Sequence, residues 1–320
     1  MTSSPRATTA PSGSVIVFSM GVIVVAWAFN FIAAKIGVRY LPAVTMASFR
    51  VVLAGVVMLP AYILGSRRAA FKKLAPSMPA NFSRSDLWTF LYLGFFGVVV
   101  NQLCFTIGLR YTSVSHSAVI VGMGPIYTLI LAVVFRVEKA TLRKVSGMAI
   151  AFAGVAVLAS ENGISAHSSS LLGDAITMTG SLGFATYVVL GKRVAAAYDS
   201  LTMTAFNHFA GAIIVLPLAV HQAIRLGNTA QWRAIPLQAW AATLYMAMFG
   251  SALAYLLYFW LLRYLEATQI AAFTYLLPVL ATILAIVCLG EHGSRIQILG
   301  GALALAGVYW VESARHSIST

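Results

Sequence analysis

Polar side chains interrupt several long apolar segments in the first half of the sequence. They are Asn30, Arg50 and the adjacent pair Asn101 and Gln102. Arg50 has two interpretations: its guanidinium extends along the segment to reach water, or it faces a cavity and binds a carboxylate. The amides offer hydrogen bonds without charge. These side chains favour recognition of a small polar molecule over bond-breaking chemistry, because the sequence shows no compact acid–base or metal-ligand group.

Two prolines occupy matching places in two apolar segments. Pro125 and Pro278 are 153 positions apart, and each stands near the middle of its segment. Proline removes a backbone hydrogen bond and bends or breaks a helix, so that freed carbonyl groups can face a polar cavity. We therefore predict hinges at both positions. The alternative is that each proline only shapes helix packing, since proline is common in membrane helices.

Each proline is followed thirteen positions later by a glutamate, Glu138 and Glu291. These carboxylates end the two apolar segments. They are gate candidates, which would pair with Arg or Lys when one face of the protein closes. The alternative, which the pattern favours, is that both are solvated helix ends.

The composition indicates a membrane protein made of helices. Of 320 residues, 60% are hydrophobic and 9% are charged, whereas a soluble domain carries about 25% charged residues. Ten segments each approach the roughly 20 residues that cross a bilayer as a helix. They are predicted at 15–36, 45–64, 87–109, 113–135, 144–160, 173–194, 201–222, 236–262, 267–289 and 296–312.

The ten segments form two copies of a five-helix unit. A shift of 153 positions aligns Gly97 with Gly250, and a shift of 157 aligns Lys35 with Lys192. Because five is odd, the second copy enters the membrane from the opposite side, and the copies are inverted. We predict a tail at 1–14, a first repeat at 15–160, a periplasmic linker at 161–172, a second repeat at 173–312 and a cytoplasmic tail at 313–320.

The positive charges indicate orientation rather than nucleic-acid binding. The net charge is +13, and 14 of the 21 Lys and Arg residues lie on the side of the N-terminus. Basic residues of the 136–144 loop are replaced in the second copy, where Arg136 becomes Leu289 and Lys144 becomes Gln297. The positive-inside rule then predicts a multi-pass protein of the inner (plasma) membrane with both termini in the cytoplasm.

Inversion separates the polar side chains into two predicted levels. Asn30 and Asn101 belong to an outer ring, whereas Tyr187, Asn207 and Tyr255 belong to an inner ring. Aromatic side chains on the same faces suit a flat apolar group held by a few polar anchors, although many aromatics will face lipid. The predicted substrate-binding residues are Trp27, Asn30, Arg50, Asn101, Gln102, Tyr187, Asn207, Tyr255 and Tyr275.

The fifth and tenth segments are rich in small residues, which allow helices to pack closely. We interpret them as scaffold or as the surface of a homodimer; otherwise the protein is a monomer. All eight acidic residues lie at segment ends or in loops, so a cationic drug exchanged for protons has no buried counter-ion. The sequence predicts no cofactor and no metal site, and it has no phosphate-binding GxxxxGK[ST] loop for ATP.

The sequence resembles the drug/metabolite transporter superfamily, in its EamA-type branch of ten-helix exporters. The resemblance rests on "WAFNFIAAKIG" at 27–37, "TMASFRVVLAG" at 45–55, the stretch from "GLRY" to "FRVEK" at 108–139 and its echo at 261–291. It extends to bacterial exporters of aromatic and neutral amino acids. It implies secondary export of small neutral or zwitterionic metabolites by alternating access. Alternatives are a multidrug, nucleoside or sugar permease of the same fold, and, in another class, a membrane receptor or channel.

Overall fold

The computed structural model describes residues 11–67, 83–111, 117, 120–161, 171–227, 229–277, 279–280, 283 and 295–312. Within these ranges the chain is helical and contains no strand. This confirms the predicted all-α class. Pro278 and Glu291, two of the predicted functional residues, lie outside the described ranges.

The described residues of the first repeat form the helices that we number α1 to α5. They are α1 at Gly13–Gly37, α2 at Ala43–Arg67, α3 at Arg84–Tyr111, α4 at Gly124–Val134 and α5 at Leu142–Glu161. A capping box in which Ser83 and Asp86 bond each other's backbone amides starts α3. The turn after α4 has Arg136 in the left-handed region, with φ 56°, where a helix more often ends on glycine.

The described residues of the second repeat form the helices that we number α6 to α10, together with two shorter helical segments. They are α6 at Leu171–Val194, α7 at Ser200–Arg225, α8 at Leu237–Leu262, α9 at Ala267–Ala272 and α10 at Arg295–Glu312. A short helix at Thr229–Ala234 precedes α8, and a 3₁₀ turn at Phe273–Tyr275 continues α9. Asp199 caps α7 by accepting a hydrogen bond from the Thr202 amide at 2.8 Å.

Five of these helices, namely α1, α2, α3, α7 and α8, are long and apolar enough to cross a membrane by length and composition. Ile120–Val134 and Ile298–Val311 are shorter apolar helices. The order of elements follows the predicted segments. The count of ten crossings stays a prediction, because several segments extend into ranges that the structure does not describe.

Two π-helical stretches interrupt long helices at matching places. One, Gly94–Val100, lies inside α3; the other, Met246–Leu253, lies inside α8. A π turn widens the helix and displaces its side chains, and such turns often occur at functional sites. Ser251 Oγ lies 3.0 Å from the Met246 carbonyl, five residues earlier. Hydropathy and motif spacing did not predict these π-helical stretches.

The repeats pack across each other: α2 lies against α7, α3 against α6, and α5 against α10. The small residues of α5 and α10 meet within the chain. A Cβ on Gly154 would lie 2.4 Å from the Ala304 amide nitrogen, and one on Gly307 would lie 2.3 Å from the Ala151 amide nitrogen. These glycines therefore act as scaffold, the first of the two predicted roles. A homodimer would have to use the outer surfaces of α5 and α10 and stays a prediction.

The bundle has two ends. Ile16 and Met20, near the start of α1, cluster with Ala195 and Leu265, and we call this end the N-terminal face. Ala33 and Ala34, near the end of α1, cluster with residues that include Leu226 and Ala239 at the opposite end, which we call the far face.

Candidate functional site

A cavity lies among the helices, from their middle toward the far face. Its lining residues come from both repeats and from seven of the helices. They are Trp27, Asn30, Phe31, Arg50, Asn101, Phe105, Val121, Gly124, Pro125, Thr128, Thr177, Ser181, Phe184, Tyr255, Ala271, Thr274 and Leu277. Among the described residues, the lining contains one guanidinium and no carboxylate. Its other polar side-chain groups are amides and hydroxyls, and the remaining lining residues are aromatic or aliphatic.

The structure brings five of the predicted substrate-binding residues to this lining: Trp27, Asn30, Arg50, Asn101 and Tyr255. It places the other four, Gln102, Tyr187, Asn207 and Tyr275, behind the lining, where each is buried. Their role in binding therefore stays a prediction.

Arg50 is 3% exposed, so its side chain does not extend to water. Of its two interpretations, the structure supports the one that faces the cavity. Its Nε donates to Ser251 Oγ at 3.1 Å, and Ser251 Oγ lies 3.0 Å from Gln102 Oε1. Arg50 Nη1 has no hydrogen-bond partner among the described residues. A buried guanidinium with a free donor is costly unless a ligand supplies the partner.

Asn101 and Tyr255 connect the two repeats. The Tyr255 hydroxyl lies 2.7 Å from the Gly97 carbonyl and 2.9 Å from Asn101 Oδ1, while Asn101 Nδ2 donates to the Gly180 carbonyl at 3.1 Å. Asn101 was expected in an outer ring and Tyr255 in an inner ring. The prediction of two separate rings was wrong at this point, because both residues lie close enough to the middle of their helices to bond directly.

The two repeats pack against each other beside the cavity by related contacts. A Cβ on Gly250 would lie 2.3 Å from Asn30 Oδ1, and a Cβ on Gly97 would lie 2.4 Å from the Tyr187 ring. Asn30 and Tyr187 are 157 positions apart, and the glycines are 153 apart. Each glycine thus makes room for the matching side chain of the other repeat.

An aromatic wall completes the cavity. Trp27 Nε1 donates to the Gly250 carbonyl at 2.9 Å, which fixes the indole ring. The ring lies edge to face with Phe184 at a centroid distance of 5.4 Å and tilted against Tyr258 at 5.7 Å. Aromatic pairs in these geometries contribute about 0.5–1.5 kcal/mol beyond their area burial. The wall offers a flat apolar surface beside the polar groups of Asn30 and Arg50.

Tyr275 lies apart from this wall. It is fully buried in an apolar cluster with Leu129 and Met148, between α4, α5 and α9. Its hydroxyl has no hydrogen-bond partner among the described residues.

Pro125 stands at the start of α4, directly after a turn at Met123. Proline fits the first turn of a helix, since its missing amide proton is not needed there. Pro125 lines the cavity, and Thr128 Oγ1 bonds the Gly124 carbonyl at 2.9 Å. The helix is therefore interrupted beside the cavity, which is consistent with a hinge at Pro125. The matching position, Pro278, lies outside the described residues.

Glu138 is not a solvated helix end, and that prediction was wrong. Its side chain is 3% exposed. The turn after α4 directs it against the start of α9, where its Oε1 accepts the Ala267 amide at 2.6 Å and its Oε2 accepts the Thr268 hydroxyl. Lys144 Nζ lies 2.9 Å from Glu138 Oε2 and 2.9 Å from Glu266 Oε2. A carboxylate at a helix N-terminus is stabilised by the free backbone amides.

We call Glu138, Lys144, Glu266, Ala267 and Thr268 the N-terminal-face clasp. It joins the first repeat to the second at the N-terminal face, the end of the bundle opposite to the one toward which the cavity extends. Thr268 was not among the predicted residues, because its role depends on the packing of two distant loops.

Other lining residues were missed although a signal was present. Thr177, Ser181 and Phe184 are spaced four and three positions apart, so they share one face of α6. Two hydroxyl groups on one face of an apolar helix would have predicted this strip of the lining.

The family model described as "EamA-like transporter family" matches residues 14–160 and again residues 171–313. These two matches coincide with the two repeats. A solved crystal structure that is 15% identical has a TM-score of 0.72 and covers 97% of this chain and 100% of its own. That likeness supports the fold alone.

Relatives of similar length carry transporter names. An uncharacterized transporter of Archaeoglobus fulgidus is 27% identical over 292 residues, which cover 91% of this chain and 94% of the relative. The uncharacterized transporter YyaM of Bacillus subtilis is 30% identical, with 87% of each chain covered. A probable terminal-alkyne amino-acid exporter of Streptantibioticus cattleyicolor is 27% identical, with 92% of this chain and 93% of the relative covered.

Proposed function

Because the chain belongs to the EamA-like transporter family and is a membrane transporter, we propose that it exports small neutral or zwitterionic metabolites, in particular amino acids with aromatic side chains. One observation carries the proposal. Arg50 is buried on a cavity lining that has no carboxylate, and one of its donors has no partner among the described residues. A carboxylate on the substrate supplies that partner.

The rest of an aromatic amino acid also fits the lining. Its ring packs against Trp27 and Phe184, and its ammonium group can bond Asn30 Oδ1, which has no partner within the described chain. An ammonium group held by amide oxygens and aromatic faces, without a buried acid, is bound modestly. Modest affinity suits a carrier that must release its substrate. The name of the relative from Streptantibioticus cattleyicolor, a probable amino-acid exporter, supports the same class.

Transport proceeds by alternating access in this proposal. The cavity extends toward the far face, while the N-terminal-face clasp holds the opposite end closed. Release of Glu138 from α9, with bending at Pro125 and at the matching Pro278, opens the clasp and closes the far face. Glu291 is the counterpart gate of the far face.

The orientation follows from the charge distribution. We assign the N-terminal face to the cytoplasm and the membrane to the inner (plasma) membrane, so that both termini are cytoplasmic. Single cysteines placed in 136–143 should react with a membrane-impermeant thiol reagent from the cytoplasmic side, and those placed in 291–295 from the outside. Labelling of both sets from one side would contradict the inverted arrangement.

The substrate class is tested by transport of labelled compounds in proteoliposomes that contain the purified protein. The panel comprises phenylalanine, other neutral amino acids, a nucleoside, a sugar and a cationic drug. We expect amino-acid transport, at least a tenfold loss in Arg50→Ala, and partial retention in Arg50→Lys, which keeps the charge but loses the planar fork. Arg39→Ala is the matched control, because Arg39 is exposed after α1 and away from the cavity.

Two results would contradict the proposal. Transport of the nucleoside or the sugar, without transport of any amino acid, would favour the permease alternative. Parental transport by Arg50→Ala would remove the carboxylate argument.

A further inference from the structure

A second group of polar side chains lies behind the cavity lining, on one face of α7. Ser200, Thr204 and His208 are four positions apart and are each at most 3% exposed. Each has a side-chain atom without a hydrogen-bond partner in the part of the chain that the structure describes: Ser200 Oγ, Thr204 Oγ1 and His208 Nε2. Buried polar atoms are ordinarily bonded, and a row of exceptions indicates a missing ligand or water.

The hydrogen bond of His208 fixes which of its nitrogens is free. His208 Nδ1 lies 2.8 Å from the Thr204 carbonyl oxygen, which can only accept a hydrogen bond. Nδ1 therefore carries a proton, and in the neutral ring Nε2 keeps its lone pair. An unoccupied basic nitrogen is thus buried one layer behind the substrate cavity.

The groups that face His208 come from the helices packed against α7. From α8, the Tyr255 ring lies edge to face with it at 5.2 Å. From α2, the positive charge of Arg50 interacts electrostatically with the imidazole ring of His208. From α3, the π stretch Gly94–Val100 packs on α7 and contains no titratable residue. None of these groups is a carboxylate, so a proton on His208 meets only the positive charge of Arg50.

We propose that His208 Nε2 is a proton-binding site that fills when a carboxylate occupies Arg50. With Arg50 unpaired, protonation of His208 would place two positive charges in one buried region. A carboxylate on Arg50 removes that repulsion, and the two ligands bind cooperatively. The proton comes from water and forms an N–H bond at Nε2; it returns to water when the carboxylate leaves. The proposal rests on the proposed function, because it needs a carboxylate at Arg50.

The row of hydroxyl groups gives the proton a route. Thr204 and Ser200 continue the face of α7 from His208 toward Asp199, the carboxylate that caps the helix at the N-terminal face. Hydroxyl groups four residues apart need bridging water to exchange a proton, and their unpartnered oxygens are suited to hold it. The row thus connects His208 Nε2 with the N-terminal face, and we infer that its proton exchanges with water on that side.

The experiment measures proton uptake when a ligand binds. Purified protein in weakly buffered detergent solution is mixed with phenylalanine, phenylacetate or phenylethylamine at pH 7, with a pH-indicator dye, while binding is measured separately. We expect proton uptake with phenylalanine and phenylacetate, which carry a carboxylate, and none with phenylethylamine. His208→Gln should bind both carboxylates and lose at least four-fifths of the uptake. His221→Gln, an exposed histidine on the same helix, is the matched control and should keep it.

The outcomes separate the two proposals. Binding of the carboxylates without proton uptake in the parent protein would overturn the proton site and leave the proposed function intact. Equal uptake in His208→Gln would also overturn it. Failure of both carboxylates to bind would overturn both. Should His208→Gln fail to fold, absence of uptake in the parent protein still overturns the proton site, and His208→Asn is the second variant that assigns any uptake to this residue.

Discussion

Lys192 and Lys35 stand at equivalent positions of the two repeats, 157 residues apart, yet their surroundings differ. Lys192, at the N-terminal face, donates to the carbonyl oxygens of Leu262 and Leu265 at 2.7 Å each. Lys35, at the far face, is exposed. The sequence places a lysine at the same position of both repeats, but only Lys192 is hydrogen-bonded to the neighbouring helix ends, whereas Lys35 is exposed to solvent. The difference between the faces is therefore a property of the conformation rather than of the residue type.

The N-terminal-face clasp extends the same contrast. Glu138 bonds Thr268 at the start of α9, and the repeat relates this pair to Glu291 and Ser115, which lie outside the described residues. The sequence thus supplies a carboxylate and a hydroxyl group for the same type of contact in each repeat. We expect the far face to close by the same type of contact when the N-terminal face opens.

The largest effect is expected when the N-terminal-face clasp is broken. Glu138→Ala removes the acceptor of the Ala267 amide and the Thr268 hydroxyl and leaves Lys144 with the half-exposed Glu266. Removing one partner of a buried ion pair costs about 3–5 kcal/mol. The closed face should open, transport should fall at least tenfold, and a cysteine at Thr204 should become reactive toward a thiol reagent. A cysteine that stays protected would contradict the gate.

Glu266→Ala is the matched control for that variant. Glu266 contacts the same lysine, but its side chain is 48% exposed, and exposed ion pairs contribute about 0–1 kcal/mol. Transport should stay within about twofold of the parent. Equal losses in the two variants would show that net charge, rather than the buried contacts, holds this face.

Replacing Gly97 or Gly250 by alanine should destabilise the protein to different extents. Gly97→Ala brings a methyl group against the Tyr187 ring, which is 1% exposed and has little room to move. Gly250→Ala meets Asn30 Oδ1, whose side chain borders the cavity and can rotate into it. Overpacking costs about 1–3 kcal/mol, and we expect the Gly97 variant at the upper end. Thermal unfolding in detergent measures the difference.

The glycine comparison also separates stability from transport. Gly250→Ala should lower transport more than its loss of stability explains, because it displaces a lining residue. Asn30→Ala introduced together with Gly250→Ala should restore the stability. A double variant no more stable than the single one would show that the Asn30 contact is not the origin of the strain.

Substitution of the two equivalent lysines tests the difference between the N-terminal face and the far face. Lys192→Met removes two hydrogen bonds from a charged donor, worth about 1.5–3 kcal/mol each in a buried setting and less for this half-buried group. Lys35→Met should change the free energy of unfolding by less than about 0.5 kcal/mol. If both substitutions lowered the unfolding temperature equally, Lys35 would also make stabilising contacts in solution.

A small effect on stability is also expected at the helix break beside the cavity. Pro125→Ala keeps the start of α4 but adds an amide proton and relaxes the backbone. The free energy of unfolding should change by less than about 1 kcal/mol, while the rate of transport should fall several-fold as the hinge is lost. Efflux from proteoliposomes provides the measurement. An unchanged rate would assign Pro125 to packing alone.

Much of this arrangement could be predicted from the sequence. Helical class, family and duplication follow from hydropathy and from motifs such as those around Pro125. The guanidinium of Arg50 inside an apolar helix left two interpretations open, and the structure was needed to choose the one that faces a cavity. The burial of Glu138 could not be predicted, because it depends on how a turn after α4 packs on a loop 130 residues away. The contact between Asn101 and Tyr255 depends equally on helix register, which hydropathy does not determine.

The paired π stretches have a mechanical consequence. A π turn holds one residue more than an α turn, so conversion of Met246–Leu253 to α geometry would rotate the end of α8 by about 100°, the angle of one residue. Tyr255 would then turn away from Asn101 and Gly97. The stretch Gly94–Val100 gives α3 the same capability. Conversion of the two stretches would therefore change which side chains α3 and α8 present to the cavity. The change would need only a different pattern of backbone hydrogen bonds, and no loop would have to lengthen.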